Sequence, residues 1–212
     1  ASGALLLDEA GQPVRLRGMS LFWSQWGHKY WNAEVLRWLR DDWKVSLVRA
    51  AMGVEHGGYL EDPGRETGRV ETIVRASVDL GLYVIVDWHD HSAEHHCEQA
   101  LDFFDNIAKK YGHLPNVLFE TFNEPLQHTG WSQAIKPYHE HVAAAIRKHS
   151  PNLIILGTRM WCQEVDEAAS DPVHVENVAY AVHFYAATHK GHLRENVRRA
   201  LSRGVCVFAS EW

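Results

Sequence analysis

Cysteine is scarce in this chain: Cys97, Cys162 and Cys206 are the three thiols among 212 residues. An odd and widely spaced set excludes a disulfide framework as the source of stability. Cys206 stands inside an apolar run and reads as a buried thiol. An excess of one charge sign is missing too. Lys plus Arg total 21 against 27 Asp plus Glu, a net charge of −6, with no basic run. That balance argues against nucleic acid or an anionic membrane as a partner. No apolar stretch approaches the roughly 18 residues that a transmembrane helix needs. No basic, apolar, small-residue leader is visible. Linkers, low-complexity tracts and charge blocks are absent from the sequence, so a single domain spanning 1–212 is expected. No Gly-rich phosphate loop follows an early strand, which weighs against an open doubly wound sheet.

What is present is 46% hydrophobic residues, with 9 Trp and 15 His. A Trp ring is a large apolar face with one polar tip, suited to a core or to a sugar ring. Trp38 and Trp43 fall on a helical pattern and read as packing residues. Trp131 and Trp161 follow strand ends, and their reading stays open between sugar stacking and loop packing.

The chain alternates between two patterns. Apolar strand-like runs fall at Leu16–Phe22, Val45–Ala50, Leu82–Trp88, Val117–Phe122, Leu153–Leu156, Val178–His183 and Val205–Ala209. Between most of them lie stretches with helical spacing, such as Val35, Leu36, Leu39 and Trp43, or Val70, Ile73, Val74 and Val78. Strand starts recur roughly every 25 to 37 residues, the size of a strand-plus-helix unit. The runs are rich in Val, Ile and Leu without clean alternation, as buried parallel strands are. The expected fold class is α/β, a TIM (β/α)8-type barrel. A closed barrel has eight strands in about 250 residues; about seven strands are expected here, with the domain incomplete at its C-terminal end. Residues 1–15, with Gly11 in a turn, are expected to form an N-terminal hairpin capping the barrel bottom. Strands one and seven would then keep unpaired edges, through which chains could associate.

In such barrels reactive groups sit at the C-terminal ends of the strands. Strand one is expected to end near Trp23 and Trp26, strand two at Arg49, strand three in Asp87-Trp88-His89-Asp90-His91 and strand four in Phe122-Asn123-Glu124-Pro125. Strand six would end in His183-Phe184-Tyr185 and strand seven in Ser210-Glu211-Trp212. Glu124 and Glu211 would face each other across the mouth. A facing carboxylate pair is what glycoside hydrolysis needs, one as acid and one as nucleophile or base. Their environments must separate their pKa values. Arg49 would keep Glu211 ionised, Tyr185 could donate to it, and Asn123 could bind a sugar hydroxyl.

These stretches, with Leu16-Arg17-Gly18-Met19-Ser20, Leu47-Val48-Arg49-Ala50, Gly57-Gly58-Tyr59 and the run His183 to His189, resemble glycoside hydrolase family 5. Within it they resemble the bacterial endoglucanases that cleave β-1,4-glucan (cellulases). The resemblance runs in order along the whole chain. It implies a TIM barrel of the retaining class, with Glu124 as acid/base and Glu211 as nucleophile. It implies that Arg49 and Tyr185 position Glu211, that His89, Asn123 and His183 surround the cleaved sugar, and that Trp26 stacks on a sugar. It implies a β-1,4-glucan partner, secretion, no cofactor and no catalytic metal. The chain departs from the family pattern at Phe22, where relatives often carry His, and it lacks the family's eighth-strand Trp. The segment with His89, His91, His95 and His96 invites a metal reading, but no His-Glu-x-x-His motif accompanies it. The alternative expectation is a catalytically impaired barrel fragment that binds glucan weakly or self-associates. The choice among cellulose, mixed-linkage glucan, xyloglucan and mannan lies in loops that the resemblance does not fix.

Overall fold

The computed structural model describes residues 1–8 and 10–212. Seven strands form one sheet in chain order: β1 (Gly18–Ser20), β2 (Leu47–Gly53), β3 (Tyr83–His89), β4 (Val117–Glu120), β5 (Ile154–Leu156), β6 (Val178–His183) and β7 (Val207–Glu211). Every neighbouring pair is parallel. The sheet curls into a nearly closed barrel. Among the described residues no ladder joins β1 to β7. A cleft of about 840 Å³ runs between them, lined by Gly18, Met19, Trp43, Phe208 and Trp212 among others.

The helices follow from local signals. After the short turn α1 (Ser24–Gly27), Asn32 caps α2 (Ala33–Asp42) by accepting from the Val35 N–H. Asp62 caps α3 (Pro63–Leu80) in the same way, with Pro63 in its first turn. Gly81 ends α3 at φ 70°, a left-handed position that suits glycine. α4 (Cys97–Tyr111) and α5 (Lys136–Arg147) bury their apolar faces on the sheet. A turn, α6 (Arg159–Cys162), and the six-residue α7 (Val165–Ser170) fill the β5–β6 connection, where periodicity announced no helix. α8 (Gly191–Ser202) precedes β7.

Alternation along each strand divides the core in two. Val48, Ala50 and Met52 of β2, with Val84, Val86 and Trp88 of β3, face the helices in one large cluster. Leu47, Ile85, Leu118, Ile155, Ala179 and Ala181 face inward and fill the lower barrel. Farther along the strands the inward positions turn polar: Arg49 on β2, Asp87 and His89 on β3, Glu120 on β4, His183 on β6. All five are buried.

Three expectations need correction. β2 does not end at Arg49; it runs on to Gly53, so Arg49 stands mid-strand, below the rim. Trp38 and Trp43 are not packing residues: they are 52% and 57% exposed and meet edge to face at 5.9 Å. Among the described residues of 1–15, the expected hairpin is reduced from regular strands to antiparallel bridges at Ser2–Leu5 and Leu7–Pro13. Leu6 and Leu16 nevertheless pack on the lower cluster and cover that end of the barrel. Glu9, inside the expected hairpin, lies outside the described residues.

Candidate active site

Arg49 organises the upper barrel. It is 2% exposed. Its Nε donates to Glu120 at 2.6 Å, its Nη2 to Asp87 at 2.9 Å and to Asn123 Oδ1 at 2.7 Å, and its Nη1 to Glu211 at 3.2 Å. One guanidinium fork therefore ties β2 to β3, β4 and β7. Burial alone would lower its pKa, but Asp87, Glu120 and Glu211 carry it above the ordinary arginine value. A buried charge is tolerable only when paired in this way.

Glu124 stands just beyond β4. Asn123 donates its backbone N–H to the Trp88 carbonyl at 3.1 Å, and Glu124 donates to the Asp90 carbonyl at 3.2 Å, so the β3 end holds this loop from one side. The β5–β6 connection holds it from the other. A Cβ on Gly157 would lie 2.0 Å from the Phe122 carbonyl oxygen, so the close approach requires glycine. Met160, Trp161 and Cys162 all have positive φ. In that turn Trp161 donates its N–H to the Pro125 carbonyl at 2.9 Å and the Cys162 thiol donates to the Asn123 carbonyl at 3.1 Å. Sequence reading left Trp161 open; it is partly exposed and lines a cleft of about 460 Å³ with Leu126, Gln127, His128 and Arg159.

The structure brings together the residues singled out from the sequence. One donor atom each of Glu124, His183 and Glu211 lies within 4.8 Å of the others. Tyr185 donates its hydroxyl to Glu211 at 3.3 Å. Buried His89 places Nδ1 2.6 Å from Asp87 and packs against the edge of Trp23 at 4.2 Å. Trp23 stacks on Trp26 at 5.1 Å, and Trp26 is 55% exposed at the mouth. Asn123 is buried and accepts from Arg49, so its side-chain oxygen faces the barrel interior.

Four participants were given no role at the site by the sequence reading. Glu120 and Asp87 balance Arg49, Ser210 donates to Glu120 at 2.5 Å, and His91 reaches Glu124 at 3.2 Å. The signal for Glu120 and Asp87 was a carboxylate inside an otherwise apolar strand, one inward position from the rim. His91 carried no such signal, because its loop is polar throughout.

The titration pattern is divided. Burial pushes Glu120 up, yet Arg49 and His183 bring it down to about 2. Burial lifts Asp87 well above the usual carboxylate range, against the pull of Arg49. His183 is driven down by burial but raised to about 9 by Glu120 and Glu124. Burial, seconded by Arg49, keeps His89 neutral. Burial opposes ionisation of Glu124, but hydrogen bonds from His183 and His91 hold it well below the usual range.

Glu124, His183 and Glu211 are also the donor set that would fit around a small cation. His183 directs one ring nitrogen at Glu124 and the other at Ser210, at 3.0 and 2.9 Å.

Fold and mouth together define a class: parallel β/α barrels with a paired-carboxylate site at the C-terminal rim. A family model described as Cellulase (glycosyl hydrolase family 5) matches residues 7–212, and this chain belongs to that family. It is 50% identical over 209 residues to Endoglucanase Z of Dickeya dadantii and 46% identical over 207 residues to Endoglucanase A of Evansella cellulosilytica. These matches cover 96% and 95% of the chain but 49% and 42% of the two relatives, so the chain spans about half the length of the endoglucanases it matches. Among solved structures, one from Cytophaga hutchinsonii superposes with a TM-score of 0.97 at 48% identity, covering 99% of this chain and 69% of that one. The catalytic domain of Thermobifida fusca endoglucanase Cel5A, in complex with cellotetraose, superposes with a TM-score of 0.93 at 36% identity, covering 99% of this chain and 71% of that one.

Proposed function

We propose that this chain is a catalytic barrel domain that hydrolyses internal β-1,4-glucosidic bonds with retention of configuration. Glu211 attacks the anomeric carbon, and Glu124 protonates the leaving oxygen and then activates water. The observation that carries this reading is the approach of Glu124 and Glu211 donor atoms to within 4.8 Å. Retaining enzymes hold the pair at about 5–5.5 Å, whereas inverting enzymes leave about 6.5–9.5 Å for a water molecule. Arg49 and Tyr185 orient Glu211 by hydrogen bonds, which directs one carboxylate oxygen at the sugar. His89, Asn123 and His183 surround the sugar being cleaved. Trp26 offers an exposed ring face for stacking on a neighbouring sugar. The names of the endoglucanase relatives and the cellotetraose in one solved neighbour support a β-1,4-glucan substrate. A polymeric glucan is met outside the cell, so we infer secretion. No helix is long and apolar enough to cross a membrane.

The test is reducing-end release from carboxymethylcellulose by the 212-residue chain beside its Glu124→Gln variant, with the first-formed anomer read by NMR. Release by the wild-type chain alone, as the β-anomer, is expected. The α-anomer would overturn the retaining mechanism, and equal release by the variant would remove Glu124 from the chemistry.

A further inference from the structure

Glu66 is a buried carboxylate that takes no part in the Arg49 network. It stands in the first turn of α3, on the face that also buries Val70, Ile73 and Val74. An apolar side chain at such a position would carry no cost of losing water. The carboxylate is instead fully partnered. Oε1 accepts from Arg65 Nε at 2.9 Å and from Arg69 Nη1 at 2.6 Å, and Oε2 accepts from the Ser24 hydroxyl at 2.5 Å. The N-terminal end of the helix adds a field that favours the negative charge. Replacing a buried ionic cluster by apolar residues is often neutral or stabilising, so stability alone does not account for this one. What an apolar residue cannot supply is an acceptor for Ser24.

Ser24 opens α1, the single turn after β1. That turn has no side-chain cap, and four residues are too few to hold a helix by themselves. Its place is set from outside. The buried Ser24 hydroxyl donates to Glu66 and accepts the N–H of Gly53, the last residue of β2, at 2.9 Å. Arg69 Nη1 also donates to the Ser24 carbonyl at 3.2 Å. Arg65 Nη2 donates to the Gly57 carbonyl at 2.6 Å, so the same carboxylate reaches the turn after β2. Trp23 and Trp26 lie on either side of Ser24. Their rings stack at 5.1 Å, and the Trp23 edge packs on His89 at 4.2 Å. We propose that Glu66 is a positioning residue for substrate binding: acting through Ser24, it fixes the turn that presents the Trp26 ring face to glucan. The proposal rests on the sugar-stacking reading of Trp26 above. A gap of about 0.5–1 Å forfeits a quarter to a half of a dispersion contact, so a small shift of the turn weakens stacking. Glu124 and Glu211 are held by other strands, so the loss falls on KM more than on kcat.

Three variants of the full chain separate positioning from bulk stability. Glu66→Met removes the acceptor. Ser24→Ala cuts the link but keeps the Glu66–arginine pairs, and Trp31 Nε1 still holds the Phe22 carbonyl at 2.9 Å. Glu66→Gln keeps an acceptor without the charge. The first readout is the set of nine indole N–H signals in a nitrogen–proton NMR spectrum, with Trp23 and Trp26 assigned by Phe substitution. Glu66→Met and Ser24→Ala should both move the Trp23 and Trp26 signals and leave the buried Trp88 and Trp131 in place, with Glu66→Gln close to wild type. Unmoved Trp23 and Trp26 signals, a shift of all nine together, or a Gln variant as disturbed as Met would each overturn the proposal. If Glu66→Met does not fold, Ser24→Ala and Glu66→Gln carry the same readout. The second readout is KM and kcat on cellopentaose. Glu66→Met and Ser24→Ala should raise KM roughly two- to threefold, with a smaller change in kcat. Added to Trp26→Ala, Ser24→Ala should raise KM no further, because both act on one contact. Effects that multiply would mark Ser24 and Glu66 as structural and overturn the proposal. If wild type cleaves nothing, or Trp26→Ala leaves KM unchanged, the glucanase or stacking reading fails, and the indole signals alone decide whether Glu66 places the turn through Ser24.

Discussion

The lower and upper halves of the barrel interior are built on the same strands and differ by two residues of advance. Below, Leu47, Ile85, Leu118 and Ile155 fill the space with methyl groups. Above, Arg49, Asp87, Glu120 and His183 fill a similar space with ionisable groups, all buried. The lower layer is held by packing and loss of water, which do not depend on direction or pH. The upper layer is held by a charge network in which each member is tolerable only because the others are present. The two layers therefore hold the fold together by different physics.

Substitutions should separate the two layers, beginning with the largest effect. Glu124→Gln is expected to cut turnover of soluble glucan by about 10²–10⁴-fold, with the melting temperature unchanged or raised, as measured by a reducing-sugar assay and a thermal melt. A similar loss of activity from a lower-layer variant of intact stability would erase the distinction. Arg49→Met strands Glu120 and Asp87 without their cation and should cost about 3–5 kcal/mol in urea unfolding. Ile155→Ala, in the lower layer, should cost about 2–5 kcal/mol through cavity formation. Size alone does not tell the two apart, but pH does.

His183 sharpens that point. Its folded pKa is raised from the ordinary histidine value of 6.5 to about 9. A raised histidine stabilises fully below the unfolded value and loses that stabilisation as pH rises through the folded value. The melting temperature should fall between pH 6.5 and about 9, and the fall should flatten in His183→Gln. Glu120, held at about 2 against an ordinary glutamate value of 4.5, acts at the other end. Its stabilisation is present above pH 4.5 and is lost as pH falls toward about 2. Ile155→Ala should keep both slopes. The smallest effect concerns Trp26→Ala at the exposed rim. Losing a stacking face of about 1 kcal/mol should raise KM roughly fivefold with little change in kcat or melting temperature. A drop in kcat alone would place Trp26 in the chemistry.

Much of this arrangement was legible in the chain. The strand-plus-helix rhythm located all seven strands in order, because buried parallel strands need unbroken apolar runs whatever surrounds them. The rim residues Glu124, Glu211, His183 and Tyr185 were legible because each directly follows or ends such a run. Arg49 was legible as a residue but misplaced at a strand end, since an apolar run does not mark where a ladder stops. α7 escaped because six residues are too few to display a period. Trp38 and Trp43 misled because helical spacing says which residues share a face, and not whether that face is covered.

Local pattern was thus enough for the barrel, its polarity and most of the side chains at its rim, because periodicity, caps and turn glycines act over a few residues. Only the folded chain decided which of those side chains touch. Arg49 and Glu211 are 162 residues apart in sequence and 3.2 Å apart in space. His91 was one polar residue among several until the loop after β3 laid it against Glu124. Ionisation followed the same rule. A carboxylate's pKa depends on burial and on charges brought from distant strands. Neighbours in sequence therefore did not reveal that Glu124 is held below the usual carboxylate range and Asp87 is pushed well above it.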